Sequence, residues 1–252
     1  MKYLIILIVL FFTSCSNIQE KVRNSVQSEN AKQIRNDYKE IVKLLSLYKT
    51  KLDKRNPKNY NVVLDRLLKD DILNNTNKIS IRIDKSKVFR EYSDFLNYSF
   101  NKELAIRNRN DYLVIGLYKM FYNAYKMDLQ FKFTAFNYDI DDLQKAYKNL
   151  QVIQWKIKYD KDIKNRYLFL TWQNNWQIEL EQKLQNTTLD NIVLSQLENI
   201  RLDKESLLSP SNNSFEILTS KMILHMAHSI KMLNEEPENL SIDAILSVIL
   251  II

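Results

Sequence analysis

A single glycine, Gly116, serves 252 residues, and only three prolines accompany it, Pro57, Pro210 and Pro237. Sandwiches and barrels turn roughly every 8 to 12 residues, on Gly, Asn or Asp. Asn is plentiful in this chain, yet no Asn-Gly or Asp-Gly hairpin signal occurs. A Gly-rich phosphate loop cannot be written with one glycine. The expected fold is all-α: an irregular helical bundle or a degenerate helical-repeat array of about eight or nine helices.

The apolar spacing places those helices. Ile34, Tyr38, Ile41, Leu45 and Tyr48 recur at helical intervals and predict a first helix that stops before Pro57. A second is predicted over 60–68, with Val63, Leu64, Leu67 and Leu68 inward. Residues 70–83 read as a loop, in which Ile79, Ile81 and Ile83 alternate as in a strand that lacks an evident partner. From Asp84 or Ser86 a helix is predicted to about 104, with Val88, Phe89, Tyr92, Phe95, Leu96 and Phe100 as its inner stripe. Others are predicted over 112–127, 139–159, 167–184, 191–202, 215–233 and 242–252. The helix over 112–127 is apolar on most of its circumference, so it is expected at the centre. Residues 15–33 read as a polar tether before a helical domain over 34–252, and the SPSNNS run suggests a sub-boundary at 203–214.

The N-terminus carries an address. Lys2 precedes an almost wholly apolar run from Tyr3 to Phe12, and then come Thr13, Ser14 and the only cysteine, Cys15. A run of this length covers about half of the roughly 20 residues that a spanning helix needs. Its order is the charged, apolar and small-residue layout of an export signal. Phe12-Thr13-Ser14-Cys15 resembles a bacterial lipobox, with Phe12 where that pattern prefers Leu. The resemblance implies that residues 1–14 are a cleaved lipoprotein signal peptide and that Cys15 is lipidated. It further implies an anchor in the bacterial cell envelope, and the absence of Asp after the cysteine (Ser16) suggests the outer membrane. Several acyl chains on one residue hold a protein stably, whereas one binds marginally.

Without its first fourteen residues the chain carries 36 basic and 30 acidic side chains, a net charge of +6. The lysines are spread along the sequence, which suits solvated helix faces, and an exported protein rarely meets nucleic acid; none is expected as partner. With no second cysteine there is no intramolecular disulfide, so stability must come from packing.

Few residues suggest chemistry. Gly116 lies inside the most apolar helix, where glycine costs about 1 kcal/mol against alanine; a close helix crossing is the expected reason. Trp172 and Trp176 share a helix face with Gln173 between them and Tyr167 nearby. They read first as a helix–helix core, and otherwise as the candidate ligand-binding face, with aromatic faces for stacking and amides for hydrogen bonds. His225 and His228 are the only histidines, three apart on one helix. As metal ligands they lack the third or fourth donor that zinc takes, so no metal and no cofactor are assigned. Asp139, Asp141 and Asp142 read as helix capping. No nucleophile elbow or zinc-protease motif occurs, so catalytic residues are not assigned.

The expected function is a lipid-anchored envelope protein with a non-catalytic binding or scaffolding role toward another envelope protein or a glycan. Two alternatives stand behind it: a surface-exposed lipoprotein that binds a host or environmental macromolecule, and a glycan-acting envelope enzyme that works through carboxylates. The oligomeric state is left open.

Overall fold

The computed structural model describes residues 28–56, 60–84, 87–128, 134–171, 175–184, 196–202 and 213–247. Cys15, Trp172, Gln173 and most of the 203–214 boundary lie outside them. The fold is all-α. Among the described residues, seven helices have eight or more residues, fewer than the eight or nine expected: α1 (Glu29–Arg55), α2 (Val62–Asn74), α3 (Tyr92–Ser99), α4 (Arg109–Ala124), α5 (Ile140–Tyr159), α6 (Asn175–Leu184) and α8 (Asn213–Lys231). Two shorter ones are α7 (Glu198–Arg201) and α9 (Ile242–Ser247). A small antiparallel pair, β1 (Ile81–Arg82) with β2 (Val88–Phe89), joins α2 to α3.

Helix α1 begins five residues before the first predicted apolar position. The Ser28 hydroxyl accepts from the Ala31 amide at 3.3 Å, capping the helix inside the sequence read as tether. Its stripe of Ile34, Tyr38, Ile41, Leu45 and Tyr48 is buried as the spacing requires. Helix α2 runs six residues past its predicted end. Of its four apolar residues expected inward, Leu64 and Leu68 are buried, while Val63 and Leu67 are exposed. The buried face is completed instead by Asp65 and Asp71, whose partners are described below.

Strand β1 does find a partner, in the segment predicted as the first turn of a helix. Ile81 pairs with Phe89 and Arg82 with Val88. Helix α3 starts later because Asp94 caps it: its carboxylate accepts from the Arg90 and Glu91 amides at 3.1 and 3.2 Å. The corner from α3 to α4 is closed by Arg109. Its guanidinium donates to the carbonyls of Ser99 (2.5 Å), Asn101 (2.8 Å) and Leu104 (2.9 Å), groups that the end of α3 leaves without helical partners.

Helix α4 is the central element, packed against α1, α2, α3 and α5. All of its residues are buried except Tyr112 and Asn123. Gly116 faces α3 at close range. A Cβ built there would lie 2.8 Å from the Leu96 Cγ and Cδ2 atoms and 3.2 Å from the Leu96 backbone nitrogen. Helix α8 packs on α1 in the most extensive helix pair and also touches α5, and α9 lies on α5. Asp139 caps α5 by accepting from the Asp141 and Asp142 amides.

Gly116→Ala tests the α3–α4 contact. Overpacking costs about 1–3 kcal/mol, and the better helix propensity of alanine returns up to about 1 kcal/mol. A net loss of roughly 1–2 kcal/mol in urea unfolding is expected, because the Leu96 backbone cannot swing aside as a side chain can. Unchanged or increased stability would show that α3 has room to give.

Candidate functional site

Three polar networks cross the core, and they differ in whether they reach solvent. The first surrounds Lys49 on α1. Its ammonium lies 2.6 Å from the Asp53 carboxylate, 2.8 Å from Asp111 on α4 and 3.7 Å from Asp65 on α2. Asp111 is 0% exposed. Burial pushes its carboxyl up to about 6, although Lys49 pulls the other way. Asp65 goes the opposite direction: burial opposes its charge, but the hydrogen bond from Lys69 (2.7 Å) and the fields of Lys49 and Lys69 hold it below the usual carboxylate range. Three carboxylates thus meet one enclosed ammonium, and burial raises the Asp53 carboxyl as well, against the pull of Lys49.

The second network joins α1 to α8 and accounts for both histidines. The Asp37 carboxylate receives His225 Nδ1 at 2.8 Å, His228 Nδ1 at 2.6 Å and the Ser229 hydroxyl at 3.0 Å. Ser229 meets the Tyr125 hydroxyl at 2.9 Å. The imidazoles therefore converge on a carboxylate. Among the described residues no group of three His, Cys, Asp or Glu side chains is arranged to hold a metal ion.

The third network fixes the loop over 75–80 and opens onto the surface. Asn75 ends α2 in the left-handed conformation (φ 49°), which turns the chain back over the helix. Asp71, itself buried, then pins the loop from below. Its carboxylate accepts from the Thr76 hydroxyl (2.7 Å) and from the amides of Lys78 (2.9 Å) and Ile79 (3.0 Å). From α4 the Tyr118 hydroxyl lies 2.9 Å from the Asp71 carbonyl oxygen and 2.8 Å from that of Thr76. Lys119, 1% exposed, donates to Asn77 Oδ1 at 2.6 Å, and Asn77 Nδ2 donates to Asn123 Oδ1 at 3.0 Å. Burial lowers the Lys119 ammonium from its ordinary value.

A groove of about 680 Å³ runs along this loop. Thr76, Asn77 and Lys78 form one wall; Tyr122, Asn123, Lys126 and Asp128 form the other. A depression of about 340 Å³, bounded by Leu67, Asp70 and Ser80, lies on the far side of Lys78. Both volumes fall within the range of small-ligand sites. Lys126 is held by Asp139 at 2.8 Å, which ties the second wall to the cap of α5.

Of the aromatic face expected from sequence, Tyr167 and Trp176 fall among the described residues, and Trp172 and Gln173 do not. Tyr167 stands outside any helix, in a bridge to Lys161, with the Lys161 ammonium 4.2 Å from its ring centre. Asp162 builds the turn ahead of it: its carboxylate accepts from the Lys164 and Arg166 amides and pairs with the Arg166 guanidinium, and Asn165 turns left-handed at φ 59°. Trp176 is half-buried on α6, and its enclosed indole N–H makes no hydrogen bond. Sequence reasoning missed Asn77, Lys119 and Asn123. The available signal was Lys119 and Asn123, four apart in the mainly apolar C-terminal half of the central helix, which demands polar partners from a neighbour.

The Lys49 network makes a pH prediction with a definite sign. Between pH 7 and 5 folded Asp111 takes up a proton, while the unfolded carboxyl (ordinary value 3.8) does not. A raised carboxyl value means stability gained on acidification, about 1 kcal/mol over this interval, and lost as pH rises through 6. Urea unfolding of the protein and of Asp111→Asn at both pH values should differ by that increment. Equal slopes would show that Asp111 does not change its protonation over this interval. Set against models of protein families, curated proteins and solved structures, the chain matches none of them.

Proposed function

We propose that this chain is a lipid-anchored protein of the bacterial envelope with a non-catalytic binding or scaffolding role, and that its helices form an irregular bundle around α4. The anchor rests on the lipobox-like run ending at Cys15. The bundle is supported by α4 touching four other helices on different sides, where a repeat array would stack each unit on its sequence neighbours alone.

The observation that carries the binding role is the contrast between the three networks. The groups best suited to proton transfer, Asp111 and the Asp37-bound histidines, tie helices together. The open groove instead presents amides, a hydroxyl, ammonium groups and the single carboxylate of Asp128, with no histidine or second carboxylate among its described lining residues, a set that holds a ligand rather than transforms one. Its loop is fixed from beneath before any ligand arrives, and this lowers the ordering cost of binding.

Cys15→Ser tests the anchor. In cells fed labelled palmitate, the parent protein should carry label and sediment with membranes, and the variant should lose both. A variant that stays membrane-bound would overturn the lipid as the anchor, and a parent protein without label would overturn the lipid attachment.

A further inference from the structure

We propose that the groove between the 75–80 loop and the end of α4 is an oligosaccharide seat, with the Asn123 amide as its central donor. This deepens the binding role above and rests on it. The argument begins with the buried ammonium of Lys119. An ammonium donates only, so Asn77 must turn its oxygen toward it. The Asn77 nitrogen is then committed to Asn123 Oδ1. Asn123 in turn keeps its Nδ2 group for the groove that it lines. One enclosed charge therefore sets the orientation of two amides in series.

The rest of the lining selects the ligand class. Sugar hydroxyls both donate and accept, and the walls offer both functions: the Thr76 hydroxyl, the Asn123 amide, the Lys78 and Lys126 ammoniums and the Asp128 carboxylate. Lysines and an aspartate face one another across the space, so no single charge dominates, and an anion is not favoured over a neutral polyol. A peptide would ask for an open strand edge or for apolar pockets. Among the described residues no strand lines this groove, and Tyr122 is the one aromatic side chain there, with no aliphatic side chain beside it. The volume of about 680 Å³ and the open shape suit part of a polymer chain passing through.

The test uses the full-length protein in detergent, titrated calorimetrically with three probes: a tetrasaccharide of N-acetylglucosamine, a tetrasaccharide of glucose, and tetra-alanine. At least one sugar should saturate below about 1 mM, and tetra-alanine should not. Asn123→Asp keeps the oxygen that Asn77 needs and replaces the donor by a charged acceptor, so the loop stays fixed; it should weaken sugar binding by about tenfold or more. Lys78→Ala, at an exposed position, should weaken it a few-fold. Trp176→Phe should leave it unchanged. The proposal is overturned if neither sugar binds, if Asn123→Asp binds as well as the parent, if Trp176→Phe alone abolishes binding, or if tetra-alanine takes the groove instead. None of these outcomes touches the Cys15 anchor, which stands or falls on the palmitate experiment.

Discussion

Helix α4 is buried around nearly its whole circumference, and it is not wholly apolar. Arg109, Asp111, Tyr118 and Lys119 all point polar atoms into the interior. An unpaired charge or hydroxyl at such depth costs several kcal/mol, so each one requires an answer from another element. Those answers give the molecule its connections. Arg109 closes the corner with α3, Asp111 meets Lys49 of α1, and Tyr118 and Lys119 hold the loop that follows α2. Gly116 permits the one apolar contact that is closer than side chains allow. The arrangement of helices around α4 is thus directional, where a purely apolar helix would accept many orientations.

Depth separates the networks by consequence. Around Lys49 the charges are enclosed and mutually compensated, so the cluster acts on stability and on its pH dependence. Around Asp37 the carboxylate is enclosed, while the two imidazoles that bind it remain 32% and 45% exposed at their side chains, which places this link at the rim of the α1–α8 contact. Only the Lys119 chain runs from full burial to a half-buried amide facing a groove. A buried ammonium is a costly way to position an asparagine unless the position of that asparagine matters.

The glycine count made the helical class legible, and the α1 stripe and the Asp139 cap were readable residue by residue, because each is a local rule. The misreadings share a non-local cause. Val88 and Phe89 fit a helical period, and only their pairing with Arg82 and Ile81 makes them a strand. Asp70 and Asp71 look like loop residues, until Asp71 is seen capping the amides of residues seven and eight positions later. Tyr167 reads as the start of a helix after the polar run over 160–166, but its backbone pairs across that run with Lys161. The groove was invisible for the same reason: Asn77 and Asn123 are 46 positions apart, and nothing short-range joins them.

The groove also has a place relative to the proposed anchor. Lys126 on its wall binds Asp139, and the neighbouring Tyr138 hydroxyl donates to the carbonyl of Ala31 in the first turn of α1. The same turn is tied to the end of α8 through Asn30 and the Met232 carbonyl. The groove therefore belongs to the end of the molecule where the chain arrives from its N-terminus. From Cys15 to Ser28 even a fully extended chain reaches at most about 45 Å. On the proposed anchorage, the ligand seat works within that distance of the membrane surface plus the depth of one domain end. A polymer lying close to the membrane can meet it there, whereas a ligand held farther off would be better served by a site at the opposite end of α1. The proposed anchor and the groove would thus constrain each other through the covalent length of the chain between them.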